Sequence, residues 1–322
     1  MKTLSPLCAL ALLLTGCQST SPPAPANGLT PVRVQTDWFP QPEHGGFYTA
    51  LTKGFYQAEG LDVSLLPLGQ YSSSLKVVSS GGAEFGLASS DQILEAVSSG
   101  LPVIAVGAFM QHDPQAIMVH ANSPVKDFAA LEGRSVAAQP GSTWFKFIVS
   151  KYHLKDVRET PATHSIANFL ADPNYIQQIF VTSEPYFVKN ANVPYRTMLI
   201  SDAGYDPYRV FFVHKEFRHK NPEITAKFVR ASLKGWQEYL RDPAPAHALI
   251  LKLNPAQNAA QMQFTLQALK DGAFITGPNS AGAEIGKMTP ARWAATNDQL
   301  NSLGVIRQPI DPATAYTTTY LP

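Results

Sequence analysis

Short clusters of polar and aromatic residues carry most of the chemistry that this sequence offers, and they follow apolar runs of strand length. In the first cluster, Asp37, Trp38 and His44 come after residues 32–36. A tryptophan face beside a carboxylate acceptor suits a planar heterocycle that bears amino groups. We predict that Asp37 and Trp38 bind such a ligand, with a core tryptophan as the alternative. His44 is expected to cap either the ligand or its own helix.

Two further clusters each head a predicted helix. Their candidate ligand-binding residues are Ser89, Ser90, Gln139, Gly141, Ser142 and Trp144. Gly141 and Ser142 would begin a helix, where backbone amides lack intrahelical partners and attract an anion or a ring carbonyl. An ordinary helix cap is the alternative that the sequence leaves open.

An acidic residue and two tyrosines complete the predicted ligand-binding set. Glu184 follows the apolar run 179–182, where it would pair with an exocyclic amine of a ligand or lie in a solvated turn. Tyr186 and Tyr208 are aromatic candidates for the same site, with ordinary packing as the alternative.

Known catalytic and metal-binding signatures are missing from the sequence. It has no HExxH, GxSxG or GxGxxG motif, and its eight histidines lack metal-ligand spacing. Residues 282–287 are similar to a phosphate loop but are one residue short and lack the serine or threonine. We expect a protein that is not an enzyme and has no cofactor and no metal, with a hydrolase built from distant residues as the alternative.

The elements that must position these clusters alternate between strand and helix. In the first part of the chain they fall at residues 32–36, 46–53, 61–65, 72–79, 84–88, 92–99 and 103–109. Such alternation predicts an α/β fold with a mostly parallel sheet, which binds ligands at the carboxyl ends of its strands. A long helix is predicted from Asn221-Pro222 to Asp242-Pro243.

The first residues predict export. A basic start and an apolar run, shorter than the ~20 residues that span a bilayer, end in Leu14-Thr15-Gly16-Cys17. This ending resembles a bacterial lipobox, so we interpret residues 1–17 as a lipoprotein signal peptide with lipid attached to Cys17. Residues 18–30 are interpreted as a flexible linker. An ordinary secretion signal is the alternative.

The charge balance disfavours two classes of partner. The chain has 25 basic and 24 acidic residues, and removal of Lys2 with the signal leaves 24 of each. Nucleic acid and anionic membrane surfaces both select cationic proteins, so neither is an expected partner. Membrane contact is expected through the lipid anchor alone. With Cys8 in the signal and Cys17 lipidated, no disulfide is expected.

Several motifs resemble a known family. They are DWFPQPEH at 37–44, KGFY at 53–56, EGLDV at 59–63, GGAEFG at 81–86, GLPV at 100–103, LEGRSV at 131–136 and SEPY at 183–186. They resemble the SsuA/ThiY-like family of ABC-importer substrate-binding proteins, whose members include binders of a thiamine pyrimidine precursor and a fungal pyrimidine synthase. The resemblance extends from about residue 32 to residue 242.

The resemblance implies a two-lobed periplasmic-binding-protein clamshell of type II. Each lobe would be a mixed, mostly parallel sheet flanked by helices. Lobe 1 is expected at residues 31–121 and 210–322, and lobe 2 at residues 122–209. The hinge strands are expected near residues 118–122 and 209–214.

The resemblance also implies a function. We expect a monomeric lipoprotein on the periplasmic or outer face of a membrane, which captures a small heteroaromatic solute such as a thiamine pyrimidine precursor. It would deliver that solute to an ABC permease and ATPase complex. Riboflavin-type flavins, sulfonates and nitrate are alternative ligands. A pyrimidine synthase is disfavoured, because the chain lacks the cysteines expected near residues 208–212 and a lysine near residues 89–91.

Overall fold

The computed structural model describes residues 28–68, 73–163, 165–278 and 284–322. The predicted signal peptide, Cys17, most of the linker and residues 282–283 lie outside these ranges. Within them, the first sheet contains five strands: β1 (Thr30–Gln35), β2 (Leu61–Leu66), β3 (Phe85–Ser89), β4 (Val103–Met110) and β10 (Arg209–His214). Their order across the sheet is β2-β1-β3-β10-β4.

A second sheet in the described residues has the same arrangement. Its strands are β5 (Gln115–His120), β6 (Ser135–Ala138), β7 (Arg158–Pro161), β8 (Gln177–Phe180) and β9 (Tyr195–Leu199), in the order β7-β6-β8-β5-β9. In each sheet one strand, β10 or β5, runs antiparallel to both of its neighbours. The other pairings are parallel. This confirms the predicted fold class of two mixed, mostly parallel sheets.

Helices flank both sheets. They are α1 (Gly45–Thr52), α2 (Phe55–Ala58), α3 (Ser74–Ser79), α4 (Ser90–Ser98), α5 (Thr143–Lys151), α6 (Ala167–Ala171), α7 (Glu184–Asn190), α8 (Lys215–Lys220), α9 (Pro222–Arg241), α10 (Ala244–Leu253), α11 (Ala259–Asp271) and α12 (Pro290–Ser302). Short 3-10 helices occur at Pro42–His44, Ala129–Leu131, Ile200–Ala203 and Pro312–Thr314.

The long helix α9 agrees with the sequence-based prediction and sets the position of α1. Its Trp236 and Tyr239 are fully buried. A Cβ atom added to Gly46 would lie 2.1 Å from the Trp236 ring, and one added to Gly45 would lie 2.2 Å from the Tyr239 ring. The helices therefore approach closely because two glycines begin α1. This packing fixes the turn Pro42–His44, which immediately precedes α1.

The core of lobe 1 covers both faces of its sheet. One cluster, which includes Phe47, Phe85 and Trp236, packs between the sheet and α1 and α9. A second cluster, which includes Ile93 and Trp293, packs against α4 and α12. Lobe 2 has two smaller apolar clusters of its own. Apolar packing thus supports each sheet and positions the residues at its edge.

The lobe boundary predicted at residues 121 and 122 needs correction. Strand β5 pairs with β8 and β9 in the second sheet, although the sequence-based division assigned it to lobe 1. The chain therefore passes between the sheets at residues 111–114 and returns at residues 200–208. The predicted hinge strands are instead members of the sheets themselves. In addition, Val181 and Leu199 of lobe 2 pack against the lobe 1 core.

Candidate functional site

A cavity of about 480 Å³ lies between the lobes, within the ~300–1,000 Å³ typical of small-molecule sites. A smaller cavity of about 180 Å³ adjoins it. We call these the wide and narrow compartments of one cleft. The lining residues that they share are Gln92, Gln115, Gln139, Gln178 and Arg209.

Residues at the strand ends of both sheets line the cleft. Ser89 ends the parallel strand β3, and Gln139 follows β6. The antiparallel strands contribute their first residues instead, because their amino ends lie at the same edge. Arg209 of β10 is paired in register with Ser89, and Gln115 of β5 with Phe180.

A network of charged groups lies on the lobe 1 side of the wide compartment. Asp37 accepts hydrogen bonds from His44 Nε2, at 2.8 Å, and from Arg209 Nη2. Arg209 Nη1 also lies 3.6 Å from Asp113. Burial acts to raise the pKa of Asp37, but Arg209 and His44 outweigh it and hold that pKa well below its usual range. Burial raises the pKa of Asp113 to about 6 despite Arg209.

A buried hydrogen-bond chain joins the lobes beside this network. Thr182 Oγ1 of lobe 2 donates to Glu43 Oε1 of lobe 1 at 2.7 Å, and Thr265 Oγ1 of lobe 1 donates to the Thr182 carbonyl at 2.6 Å. All three residues are buried. Burial raises the pKa of the Glu43 carboxyl, although the Thr182 hydroxyl opposes the shift. We call this chain the interlobe clamp.

Glu184 places a second carboxyl on the wall of the wide compartment. Its Oε2 accepts a hydrogen bond from the Phe180 backbone N–H at 2.9 Å. Burial raises the pKa of Glu184 to about 7, and the nearby Glu43 carboxyl adds to the shift. This side chain therefore changes protonation state near neutral pH.

Aromatic faces and neutral amides form much of the remaining wall. Trp38 is half-buried and meets Phe39 edge-on at 5.6 Å between ring centroids. Arg209 Cζ lies 5.7 Å from the centroid of the Phe180 ring. The described lining also contains these glutamines: Gln41, Gln92, Gln115, Gln139, Gln177, Gln178, Gln257 and Gln261. A glutamine amide carries both donors and an acceptor. In Gln92 and Gln178 the side-chain oxygen already accepts from the backbone N–H groups of Ser89 and Gln139, respectively.

Most of the predicted site residues line the cleft. Those that do are Asp37, Trp38, His44, Ser89, Gln139, Gly141, Ser142, Trp144 and Glu184. The other three have structural partners outside the cavity walls described here. Ser90 Oγ accepts from the Tyr208 backbone N–H at 3.0 Å, and the Tyr208 ring is buried beneath Arg292. Tyr186 donates to Asn258 Oδ1 at 3.0 Å.

The predicted anion site at the start of α5 is not supported by its hydrogen bonds. The Gly141 N–H donates to Glu159 Oε2 at 3.1 Å, and the Ser142 N–H donates to the Gln139 carbonyl at 3.1 Å. These two amides already have hydrogen-bond partners within lobe 2, which agrees with the alternative prediction of an ordinary helix cap.

Glu43, Arg209 and Thr182 are site residues that were not predicted from the sequence. Glu43 lies within the same motif as Asp37, but nothing in the sequence of its turn indicates that its side chain contacts the second lobe. Arg209 precedes an apolar run, and strand-end reasoning applied to parallel strands overlooks the first residue of an antiparallel one. No sequence motif around Thr182 distinguishes it from a threonine in a solvent-exposed turn.

Acidic groups outnumber cations among the described lining residues. The carboxylates are Asp37, Glu43, Asp91, Glu95, Asp113 and Glu184, whereas the lysines and arginines comprise Arg209 alone. That arginine is already paired with Asp37. The arrangement can accept hydrogen bonds from a neutral or cationic ligand, and it disfavours an anion.

Comparison with known proteins defines the family. Residues 41–246 match the model of the NMT1/THI5 like family, and the chain belongs to it. The riboflavin-binding protein RibY of Chloroflexus aurantiacus is 24% identical over 97% of this chain and 95% of its own length. The formylaminopyrimidine-binding protein of Halalkalibacterium halodurans is 26% identical, over 78% of each chain.

Other relatives include enzymes and solved binding proteins. The pyrimidine phosphate synthase THI11 of Saccharomyces cerevisiae is 23% identical over 69% of this chain and 71% of its own length. The structure of the periplasmic aliphatic sulphonate binding protein SsuA from Escherichia coli matches with a TM-score of 0.68 at 16% identity, covering 88% of this chain and 91% of that one. The fold is therefore that of periplasmic binding proteins. Among the described helices, none combines the length and apolar character needed to cross a membrane.

Proposed function

We propose that this protein is the substrate-binding component of an ABC importer and captures a planar heteroaromatic solute in the cleft between its lobes. The observation that carries the proposal is the wide compartment, whose wall combines aromatic faces with carboxylate and amide acceptors. A ring with N–H or amino donors would stack on Trp38 and donate to Asp37 or Glu184. Two relatives whose names state heteroaromatic ligands support this class.

A thiamine pyrimidine precursor and a flavin are the two candidate ligands within this class. Both present ring nitrogens and exocyclic groups that suit amides and carboxylates. Acidic lining favours an aminopyrimidine, whereas the continuation of the cavity into a second compartment favours a larger molecule. Sulfonate and nitrate suit this wall poorly, because they carry only acceptors.

The residues that line the cleft favour a binding protein over a synthase. The described lining contains no lysine for a Schiff base, and His44 is held by Asp37 beneath the surface of lobe 1. A binding protein returns its ligand unchanged, whereas a synthase consumes it.

Tryptophan fluorescence titration and thermal unfolding test the proposal. The probes are riboflavin, 4-amino-5-hydroxymethyl-2-methylpyrimidine, ethanesulfonate and nitrate, and each is recovered by chromatography after overnight incubation. We expect saturable binding of a heteroaromatic probe with full recovery. At 100 times its dissociation constant, such a ligand adds ~2.7 kcal/mol to stability. Binding of ethanesulfonate or nitrate alone would contradict the proposal, as would conversion of the bound ring.

Glu184→Gln separates donor-bearing ligands from anions. For a ligand that donates to this carboxylate, we expect binding to weaken by ~1.5–3 kcal/mol. For an anion, removal of the charge would leave binding unchanged or strengthen it. Calorimetry on the wild type and the variant gives the answer, with the exposed Glu223→Gln as the control.

We further propose that lipid on Cys17 tethers the protein to a membrane that faces the periplasm or the cell exterior. Cys17→Ser should leave the folded lobes intact, since the first strand begins at Thr30. The variant should either leave the membrane fraction or retain its signal. Recovery of the wild-type protein in the soluble fraction, with no lipid on Cys17, would show that it is not a lipoprotein.

A further inference from the structure

Each of the two segments that join the lobes is bound to lobe 1 along part of its length. In the outgoing segment, the backbone N–H groups of Gln111 and His112 both donate to the Phe274 carbonyl, at 2.6 and 3.1 Å. The Gln111 side chain donates to the carbonyls of Glu284 and Lys287. These acceptors lie between α11 and α12 of lobe 1. The start of the outgoing segment is therefore attached to lobe 1.

Asp206 joins the returning segment to the outgoing one and to helix α12. Its carboxylate accepts hydrogen bonds from the Asp113 N–H and from Arg292 Nη2, both at 2.9 Å, and lies 2.6 Å from His112 Nδ1. Arg292, on α12, also donates to the Asp206 carbonyl at 2.7 Å. Both crossing segments are therefore fixed to α12 of lobe 1 at this point.

The returning segment changes lobes at Gly204. On its lobe 2 side, Lys151 of α5 donates to the Ala203 carbonyl at 2.5 Å, and the Gly204 N–H donates to the Ser201 carbonyl at 2.8 Å. The Gly204 carbonyl instead accepts from Gln299 of α12 at 2.9 Å. The two torsion angles of Gly204 therefore lie between a group held by lobe 2 and a group held by lobe 1. Its φ of +88° is in the left-handed region that favours glycine.

The outgoing segment changes lobes at Asp113 and Pro114. The Asp113 N–H is bound to Asp206 on the lobe 1 side, whereas the Pro114 carbonyl accepts from the Val181 N–H of lobe 2 at 3.0 Å. The proline ring fixes φ of Pro114, which leaves three variable torsion angles between these two groups. Asp113 Oδ1 also accepts from the Gln115 N–H at 2.9 Å, so this side chain spans the change of lobe.

Tyr205 follows Gly204 directly and contacts both lobes. Its ring packs against Phe147 of α5, with 5.2 Å between the ring centroids, and its hydroxyl donates to Asp91 of α4. One of these contacts must change when the lobes rotate at Gly204. Because hydrogen bonds to a carboxylate are strong and directional, we expect the hydroxyl to stay on Asp91 while the ring slides over Phe147.

We propose that the lobes open and close by rotation at Gly204 and at the Asp113-Pro114 step, and that Asp206 confines the rotation to these two places. Torsion changes at a few residues between packed units are a general means of domain closure. The left-handed conformation of Gly204 belongs to the arrangement in which Thr182 joins the lobes, and it is lost when the cleft opens. The motion needs no particular ligand, so its tests are independent of the proposed function.

A matched pair of glycine variants tests the rotation in the ligand-free protein. Gly204→Ala disfavours the positive φ angle, and the added Cβ meets its nearest atom, Lys151 Nζ, at 3.7 Å. It should raise the ratio of open to closed molecules about 5- to 30-fold, seen by small-angle scattering as a larger radius of gyration. Gly304→Ala, at a φ of +66° beyond α12, should reduce thermal stability similarly but scatter as the wild type does. Equal radii of gyration for the two variants would overturn the inference.

A pair of aspartate variants tests the role of Asp206. Asp206→Ala removes the acceptor of the Asp113 N–H, so amide hydrogen exchange in residues 111–114 and 204–208 should become at least tenfold faster. Asp202→Ala, at an exposed position of the same crossing segment, should leave that exchange unchanged. Unchanged exchange in Asp206→Ala would overturn the inference. Faster exchange throughout both sheets would assign Asp206 a general structural role and would overturn it as well.

Discussion

At the scale of single residues, Glu184 is the group whose protonation most directly links the cleft to pH. Its pKa is about 7 in the folded protein, and the ordinary value is 4.5. Between these values the folded state binds more protons than the unfolded state, so the free energy of unfolding falls as pH rises. A shift of this size corresponds to about 3 kcal/mol. Stability from this group is complete below pH 4.5 and is lost as pH passes 7.

Glu184→Gln should therefore reduce the loss of stability between pH 5 and pH 7.5. The glutamine carbonyl can still accept the hydrogen bond from Phe180. Urea unfolding at both pH values gives the free energies, and Glu223→Gln on the exposed side of α9 is the control. Asp113, whose pKa is raised to about 6, contributes equally to both proteins. Identical pH slopes in the wild type and the Glu184 variant would contradict this assignment.

The ion pair between Asp37 and Arg209 provides a second test at this scale. Because the folded pKa of Asp37 is depressed, its stabilisation is present above pH 4 and is lost as pH falls below that value. Asp37→Asn removes the closest partner of the buried Arg209 guanidinium and leaves Asp113 and Asp91 as its neighbouring carboxylates. Removal of one partner of a buried pair costs ~3–5 kcal/mol.

A double-mutant cycle measures that coupling. Arg209→Gln together with Asp37→Asn should cost less than the sum of the two single changes, because neither charge is then left unpaired. Denaturant unfolding at pH 7 supplies the four free energies. Strict additivity would show that the pair contributes no mutual stabilisation.

At the scale of secondary-structure elements, the close contact between α1 and α9 supports the site. Gly46→Ala places a methyl group where the Trp236 ring lies, at 2.1 Å in the unchanged structure. Overpacking of this kind costs ~1–3 kcal/mol, and the better helix propensity of alanine offsets at most about 1 kcal/mol. Since α1 follows Glu43 and His44, ligand affinity should fall as well. Trp236→Leu in the same protein should relieve part of the loss of stability, and failure of this rescue would argue against the contact as the cause.

The elements also show how far sequence reasoning extends. Strand-end logic found Asp37, Gln139 and Glu184, because hydrophobic runs reveal where parallel strands end. It missed Arg209, because the direction of β10 depends on its partners β3 and β4, which lie about 100 residues earlier. Strand β5 was assigned to the wrong lobe for the same reason. A buried apolar strand has the same pattern in either sheet, and only its pairing with β8 and β9 decides where it belongs.

At the scale of the whole molecule, the interlobe clamp limits how the two lobes can move. Outside the two crossing segments, lobe 2 contacts lobe 1 through the packing of Val181 and Leu199 and through the hydrogen bond from Tyr186 to Asn258. It is also attached through Thr182, which is fully buried between Glu43 and Thr265. Any hinge motion that opens the cleft must either pivot about this point or break it. Breaking it would leave the buried Glu43 carboxyl without this hydroxyl donor. We therefore expect the clamp to favour the closed arrangement of the lobes.

Thr182→Val should shift the ligand-free protein towards more open arrangements. Loss of a hydrogen bond to a carboxyl group is worth ~1–3 kcal/mol, which changes the ratio of open to closed molecules about 5- to 150-fold. Small-angle scattering should show a larger radius of gyration for the variant without ligand, and ligand should restore the compact value at a higher concentration than the wild type needs. Thr182→Ser retains the hydroxyl and should behave as the wild type does. If the valine variant scatters like the serine variant, the clamp does not control closure, and the crossing segments at residues 111–114 and 200–208 hold the lobes together with the remaining interlobe contacts.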